Sequence, residues 1–246
     1  MPDVRPRIRA VLFDVGGTLV YEPDISEWAE RARRCSLDID PDKLSDAYVE
    51  VLIEVDAEPR SRNPHAAMVD FWRRTLSRAA KKDVSKSTAT QFVAAGKERS
   101  APVQLYSDTR PCLDQLRQDH RPLGVISNSD SEVRVRQVLN QGGILEYFDR
   151  IVSSGTEGVE KPDPEIFLRA VQRMGVRPAE AFYVGNKALI DAKAAQSAGL
   201  YGVWLNREGT GFGGALPEIA SLLEIPLSVR RIEQGLSVVR TGGPAA

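Results

Sequence analysis

Cysteine and histidine are scarce in this chain of 246 residues, at two each. Cys35 and Cys112 make no C-x-x-C pair and no metal-ligand spacing. That argues against a disulfide framework or a thiolate metal site, and points to the reducing cytoplasm. His65 and His120 share no ligand spacing and are expected in loops or at the surface. An excess of charge of one sign is also missing. The formal net charge is −1, which gives no electrostatic basis for binding nucleic acid or an anionic membrane. Long hydrophobic runs are absent as well: no stretch approaches the ~20 apolar residues of a spanning helix. The basic segment from Met1 to Ala10 meets only a short apolar run, too brief for a signal-peptide core. What remains is an ordinary apolar fraction of 42% and a charged fraction of 27%. A chain of this length suits one large domain, or a domain with an insert.

Strand and helix patterns alternate along the chain, with one interruption. Residues 10–13 read as an apolar strand. From Asp24 to about Ser100 no strand pattern occurs. Instead Trp28, Ala32 and Cys35, then Leu44, Ala47, Tyr48, Val51 and Leu52, then Met68, Phe71, Trp72, Thr75 and Leu76 recur at helical spacing. This predicts four helices, with residues 58–64 as a polar linker and the aromatics as their core. Arg31, Arg33 and Arg34 read as a solvated helix face. Beyond residue 102 the reading is helix 111–118, strand 123–127, helix 131–139 capped by Asp130 or Ser131, and strand 150–153. Helix 164–174, strand 181–184, helix 190–198 and strand 201–205 follow. The spacing predicts a last helix over 216–223 and a loose tail from 228 to 246. Such alternation implies a parallel sheet with right-handed crossovers.

Four polar loops fall at predicted strand ends, where open α/β sheets bind ligands. Asp14 closes the first strand and opens Val15-Gly16-Gly17-Thr18. A carboxylate buried at such a place is costly unless cations or donors meet it. Ser127-Asn128 precedes a helix start, and its hydroxyl, amide and main-chain N–H groups make an anion site. Lys161 lies between Glu160 and Pro162, in a stretch whose prolines stiffen the backbone. Gly185-Asn186 follows the fourth strand, with Asp191 five residues after Asn186. Converging on one rim, these groups form a site for a phosphate bridged to the acids by a divalent cation.

The order of these motifs resembles the haloacid dehalogenase-like (HAD) hydrolase superfamily, over residues 11 to about 205. The resemblance implies an α/β fold: a Rossmann-like parallel sheet core with helices on both faces (8–21 and 102–227), an inserted helical cap (22–101) and a C-terminal tail (228–246). It also implies an Mg²⁺-dependent phosphatase acting on a small phosphorylated metabolite. By position Asp14 matches the nucleophile that forms an aspartyl-phosphate, and Thr18 completes its Asp-x-x-x-Thr motif. Ser127 matches the hydroxyl that binds the transferring group, with Asn128, Gly16 and Gly17 beside it. Lys161 matches the cation that neutralises the phosphoryl group and orders the nucleophile. Asp14, the carbonyl of Gly16, Asn186 and Asp191 match the set that holds Mg²⁺. Monomer and dimer both remain open.

Two departures qualify that resemblance. Phosphatases of the family carry a second Asp two residues after the nucleophile, as acid for the leaving group and base for water. This chain has Gly16 there, and loss of a positioned acid or base costs about 10²–10⁴-fold unless the leaving group is good. Asn186 stands where an Asp is usual, which lowers the charge offered to a metal. Two subgroups naturally lack the second Asp. One is the metal-free 2-haloacid dehalogenases, but the five-residue spacing of Asn186 and Asp191 follows the phosphatases. The other, the phosphonoacetaldehyde hydrolases, needs a special cap lysine, and nothing around Lys43 marks it so. A dehalogenase-type hydrolase and a non-catalytic phosphate-ligand binder remain the alternatives.

Overall fold

The computed structural model describes residues 7–21, 25–56, 63–96, 103–209 and 216–238. The expected linker residues 58–62, the insert boundaries at 22 and 101–102, and the tail from 239 lie outside the described residues. The chain divides into two units, Met1–Tyr21 with Val103–Ala246, and Glu22–Pro102. No helix among the described residues is long and apolar enough to cross a membrane.

The smaller unit contains four helices among its described residues: α1 (Ile25–Arg34), α2 (Pro41–Asp56), α3 (Pro64–Ala80) and α4 (Lys86–Ala95). Asn63 and Ser85 cap α3 and α4 by accepting from the Ala66 and Thr88 N–H groups. Ala29, Ala32, Leu44, Leu76 and Phe92 form its core, with Trp28, Tyr48 and Phe71 packed against it. Trp72 joins these four rings at centroid distances of 4.6–5.8 Å, within the range of favourable aromatic pairing.

The larger unit is a six-stranded parallel sheet in the order β3-β2-β1-β4-β5-β6. Its strands are β1 (Ala10–Phe13), β2 (Leu123–Ser127), β3 (Arg150–Ser153), β4 (Ala181–Gly185), β5 (Tyr201–Leu205) and β6 (Glu218–Ile219). The helices are α5 (Thr109–Gln118), α6 (Glu132–Gln141), α7 (Ser154–Glu157), α8 (Pro164–Met174), α9 (Ala194–Ser197) and α10 (Ile225–Glu233). Every residue of β1 is fully buried, as a central parallel strand covered on both faces requires. The period-two alternation divides its side chains. Val11 and Phe13 join Leu113 and Leu116 of α5, Leu139 of α6 and Val229 of α10. Ala10 and Leu12 face the other way, with Ile166 and Phe167 of α8 and Ala195 of α9. At roughly 1.5–3 kcal/mol for each large apolar side chain, the two layers fix the register, because a one-residue slip would exchange the faces.

The C-terminal stretch corrects the sequence reading. No α-helix occupies residues 216–223, and only a 3₁₀ turn at Leu222–Glu224 enters that stretch. Glu218–Ile219 instead adds an edge strand, pairing Trp204 with Glu218 and Leu205 with Ile219. The last helix begins at Ile225 and runs through residues 228–233, which were expected to be loose. Pro226 sits in its first turn, where a missing N–H costs nothing. Ile225, Val229 and Ile232 form the buried stripe that holds the helix to the sheet. The predicted helix 190–198 also begins earlier, with a π turn over Ala188–Lys193 leading into α9.

Candidate active site

The turn after β1 is shaped by its glycines. The Asp14 N–H donates to the Val184 carbonyl at 2.9 Å, so the ladder to β4 continues one residue past the strand. The chain then curls back, and the Val15 carbonyl accepts from Thr18, Leu19 and Val20. Gly17 takes a φ of +74°, a left-handed conformation that favours glycine. A Cβ there would lie 2.1 Å from Asn186 Nδ2, so the absent side chain is what lets the Asn186 carboxamide lie across the turn. Gly185 plays the same part on β4, where an added Cβ would meet the Asp191 carboxyl carbon at 2.3 Å.

Lys161 is the hub. It is 4% exposed, beside Asp14 at 8% and Asp191 at 1%. Its Nζ donates to Asp14 Oδ1 at 2.6 Å, to Asp191 Oδ1 at 2.7 Å and to the Tyr183 hydroxyl at 3.0 Å. Thr18 Oγ1 donates to Asp14 Oδ2 at 3.1 Å. The Tyr183 hydroxyl donates to Asp191 Oδ1 at 2.9 Å, and the Lys187 N–H meets Asp191 Oδ2 at 3.0 Å. The Asn128 carboxamide clamps the lysine's main chain, donating to the Lys161 carbonyl and accepting from the Lys161 N–H, both at 2.8 Å.

Burial and charge oppose each other here. Burial raises the pKa of Asp14 above the ordinary carboxylate value, Lys161 opposes that rise, and the charge of Asp191 adds to it. Burial alone would lower the pKa of Lys161, but the charges of Asp14 and then Asp191 hold it above the usual lysine value. Tyr183 is pushed well above a normal phenol, by burial first and then by the two carboxylates. Two acids share one ammonium, which leaves this trio one negative charge in excess.

Asp14, Thr18, Lys161 and Asp191 are thus joined by direct hydrogen bonds, and Gly17 and Asn186 touch. Asn128 reaches the group through Lys161, with both ends of its side chain committed. Ser127 ends β2, the strand beside β1, and is half-buried, as is Gly16. The Asn186 carboxamide oxygen is buried without a hydrogen-bond partner among the described residues. Tyr183 was missed in the sequence reading. Its signal was a hydroxyl inside an apolar, fully buried strand, where a phenol ordinarily finds a partner.

Arg207, in the loop after β5, supports the turn from outside. Its guanidinium grips Asp108 at 2.7 and 3.0 Å, donates to the Thr18 carbonyl at 3.0 Å, and lies 3.9 Å from the centroid of the Tyr106 ring. A cavity of about 200 Å³ opens beside it, lined in part by Gly17, Asn186, Trp204 and Arg207. Cavities of about 360 and 440 Å³ elsewhere involve none of the site residues.

Comparison with known proteins agrees with this architecture. The family described as haloacid dehalogenase-like hydrolase matches residues 8–199. A glyceraldehyde 3-phosphate phosphatase of Methanopyrus kandleri is 34% identical over 203 residues, 81% of this chain and 84% of that protein. An N-acylneuraminate-9-phosphatase of Rattus norvegicus is 26% identical over 94% of this chain and 98% of its own length. The crystal structure of an HAD phosphatase from Thermococcus onnurineus superposes with a TM-score of 0.61 at 27% identity, covering 94% of this chain and all of that one.

Proposed function

The chain belongs to the haloacid dehalogenase-like hydrolase family, and from that membership we propose a phosphatase of small phosphorylated metabolites that works through an aspartyl-phosphate on Asp14. Its phosphatase-named relatives support the reaction class. The observation that carries the reading is the Asp14 carboxylate at the end of the central strand, held by Lys161 at 2.6 Å. Lys161 fixes Oδ1, whereas among the described residues Oδ2 has only the Thr18 hydroxyl as its hydrogen-bond partner. Oδ2 is therefore the attacking oxygen. It forms a bond to phosphorus as the ester P–O bond breaks, and Lys161 and Ser127 meet the charge on the phosphoryl oxygens. Water then attacks phosphorus, releasing phosphate and restoring Asp14. Gly16 offers no side chain to protonate the departing oxygen, so alcohols that leave well as anions are the favoured leaving groups. The helical insert, residues 22–101, is the cap in this reading and selects the substrate.

The residues present fit a hard divalent cation. The partnerless Asn186 oxygen, the Asp14 carboxylate and the Gly16 carbonyl make an all-oxygen set beside a surplus negative charge. Bound Mg²⁺ would neutralise charge on the transferring group. Asp191 Oδ1 accepts from Lys161 and Tyr183 and aims the ammonium, while Oδ2 accepts from the Lys187 N–H and keeps a lone pair for the cation. The test is hydrolysis of p-nitrophenyl phosphate with and without Mg²⁺. Metal-dependent phosphate release that disappears in Asp14→Asn is expected. Release that survives Asp14→Asn overturns the reading.

A further inference from the structure

An ammonium group has three hydrogens to donate, and Lys161 has an acceptor for each: Asp14 Oδ1 at 2.6 Å, Asp191 Oδ1 at 2.7 Å and the Tyr183 hydroxyl at 3.0 Å. In the proposed phosphatase Lys161 must also meet an oxygen of the phosphoryl group. One of the three acceptors has to yield. Releasing a carboxylate would strand a buried negative charge, which is costly. Tyr183 is the neutral partner and the most distant of the three. It also keeps a role when released, because its own hydrogen goes to Asp191 Oδ1 at 2.9 Å.

We infer that Tyr183 is a positioning residue: it holds the third hydrogen of Lys161 while the site is empty and yields it to an incoming tetrahedral oxyanion. The phenol itself stays still. Tyr183 has no solvent exposure and packs edge-on against Phe167, with ring centroids 4.9 Å apart. The ammonium moves instead, turning on its two carboxylate bonds while the Asn128 clamp holds the main chain behind it. A resting acceptor of this kind keeps the lysine aimed without the desolvation cost of a third charge. It also makes every oxyanion compete with the tyrosine for that hydrogen.

The inference rests on the phosphatase reading, and the test separates the two. The probe is inorganic phosphate, measured on the full chain both as an inhibitor of p-nitrophenyl phosphate hydrolysis and by calorimetric titration. In Tyr183→Phe the ring and its packing persist, but the third hydrogen of Lys161 has no acceptor in the empty site. Phosphate should then bind more tightly by about tenfold or more, the net worth of one hydrogen bond to a charged group. KM should fall with it, while kcat does not rise. Tyr183→Leu, which also cannot accept, should give the same direction and stands in if the Phe variant does not fold. A tyrosine that merely packs the core would lower the melting temperature and leave phosphate affinity unchanged. Phosphate affinity that is unchanged or weaker in the folded variant overturns the inference. A wild-type chain that binds no phosphate overturns the functional reading along with it.

Discussion

Replacing Lys161 with Met should cost the fold about 3–5 kcal/mol at neutral pH, the price of leaving buried charge without its counterion. Methionine is unbranched and close in length to the lysine stem, so the packing is nearly kept and the loss is electrostatic. In the wild type the ammonium lies between Asp14 and Asp191, all three almost out of solvent. Without it each carboxylate loses a charge-assisted hydrogen bond and faces the other, both buried. Burial already raises the Asp14 pKa against the pull of Lys161, and removing that pull raises it further. A carboxyl whose folded pKa exceeds its unfolded value of about 3.9 contributes stability below that value. The contribution is lost as pH rises through the folded pKa. The deficit of the Met variant is therefore largest at neutral pH and shrinks on acidification. Thermal unfolding of both proteins in EDTA, from about pH 5 to about pH 8, reads this directly. At roughly 2–4 °C per kcal/mol for a chain of this size, the gap at neutral pH should be about 6–20 °C. Adding Asp14→Asn to the Met variant should recover part of it. Melting temperatures within about 2 °C of wild type at neutral pH, or a gap that widens toward acid, would refute the electrostatic account.

Three other substitutions probe the turn and the clamp. Gly16→Asp is tolerable because Gly17, not Gly16, carries the positive φ. It should raise turnover of alkyl phosphates on the order of 10²-fold while changing p-nitrophenyl phosphate little; a gain independent of leaving-group pKa would count against the missing-acid argument. Gly17→Ala places a Cβ 2.1 Å from Asn186 Nδ2 at a φ of +74°. It should lower stability by about 1 kcal/mol or more, measured by denaturant unfolding, and an unchanged midpoint would show that the Asn186 carboxamide is free to move. Asn128→Asp cannot donate to the Lys161 carbonyl, so it should cost about 1–3 kcal/mol and lower kcat. A variant with wild-type kcat would remove the clamp from the account.

Much of the site could be read along the chain because its parts sit at strand ends. Asp14 directly follows a short apolar strand, and Lys161 and Asp191 lie in the connections that leave β3 and β4. The grouping of these three in space follows from the parallel order of β1, β3 and β4. What was not legible depended on side chains meeting across long sequence gaps. Tyr183 reads as one more apolar residue in Ala-Phe-Tyr-Val until Lys161 is placed beneath its hydroxyl. Asn128 reads as a ligand until both ends of its amide are found on a residue 33 positions away. The C-terminal error has a local cause. Pro226 resembles a stop, yet in a first turn it is a start, and Leu222 and Leu223 drew the predicted helix one element too early. The edge strand at Glu218–Ile219 is two residues long, too short for any alternation to show.

The grip of Arg207 means that the loop after β5 is not independent of Asp14, although it never touches it. One guanidinium ties the carbonyl of Thr18 to the head of α5 and to an aromatic face. A change at position 207 would therefore be transmitted through the turn and felt as a shift in where the carboxylate at 14 points. Activity lost by altering that arginine would report misalignment of the turn as well as any change in the cavity it lines with Gly17 and Asn186.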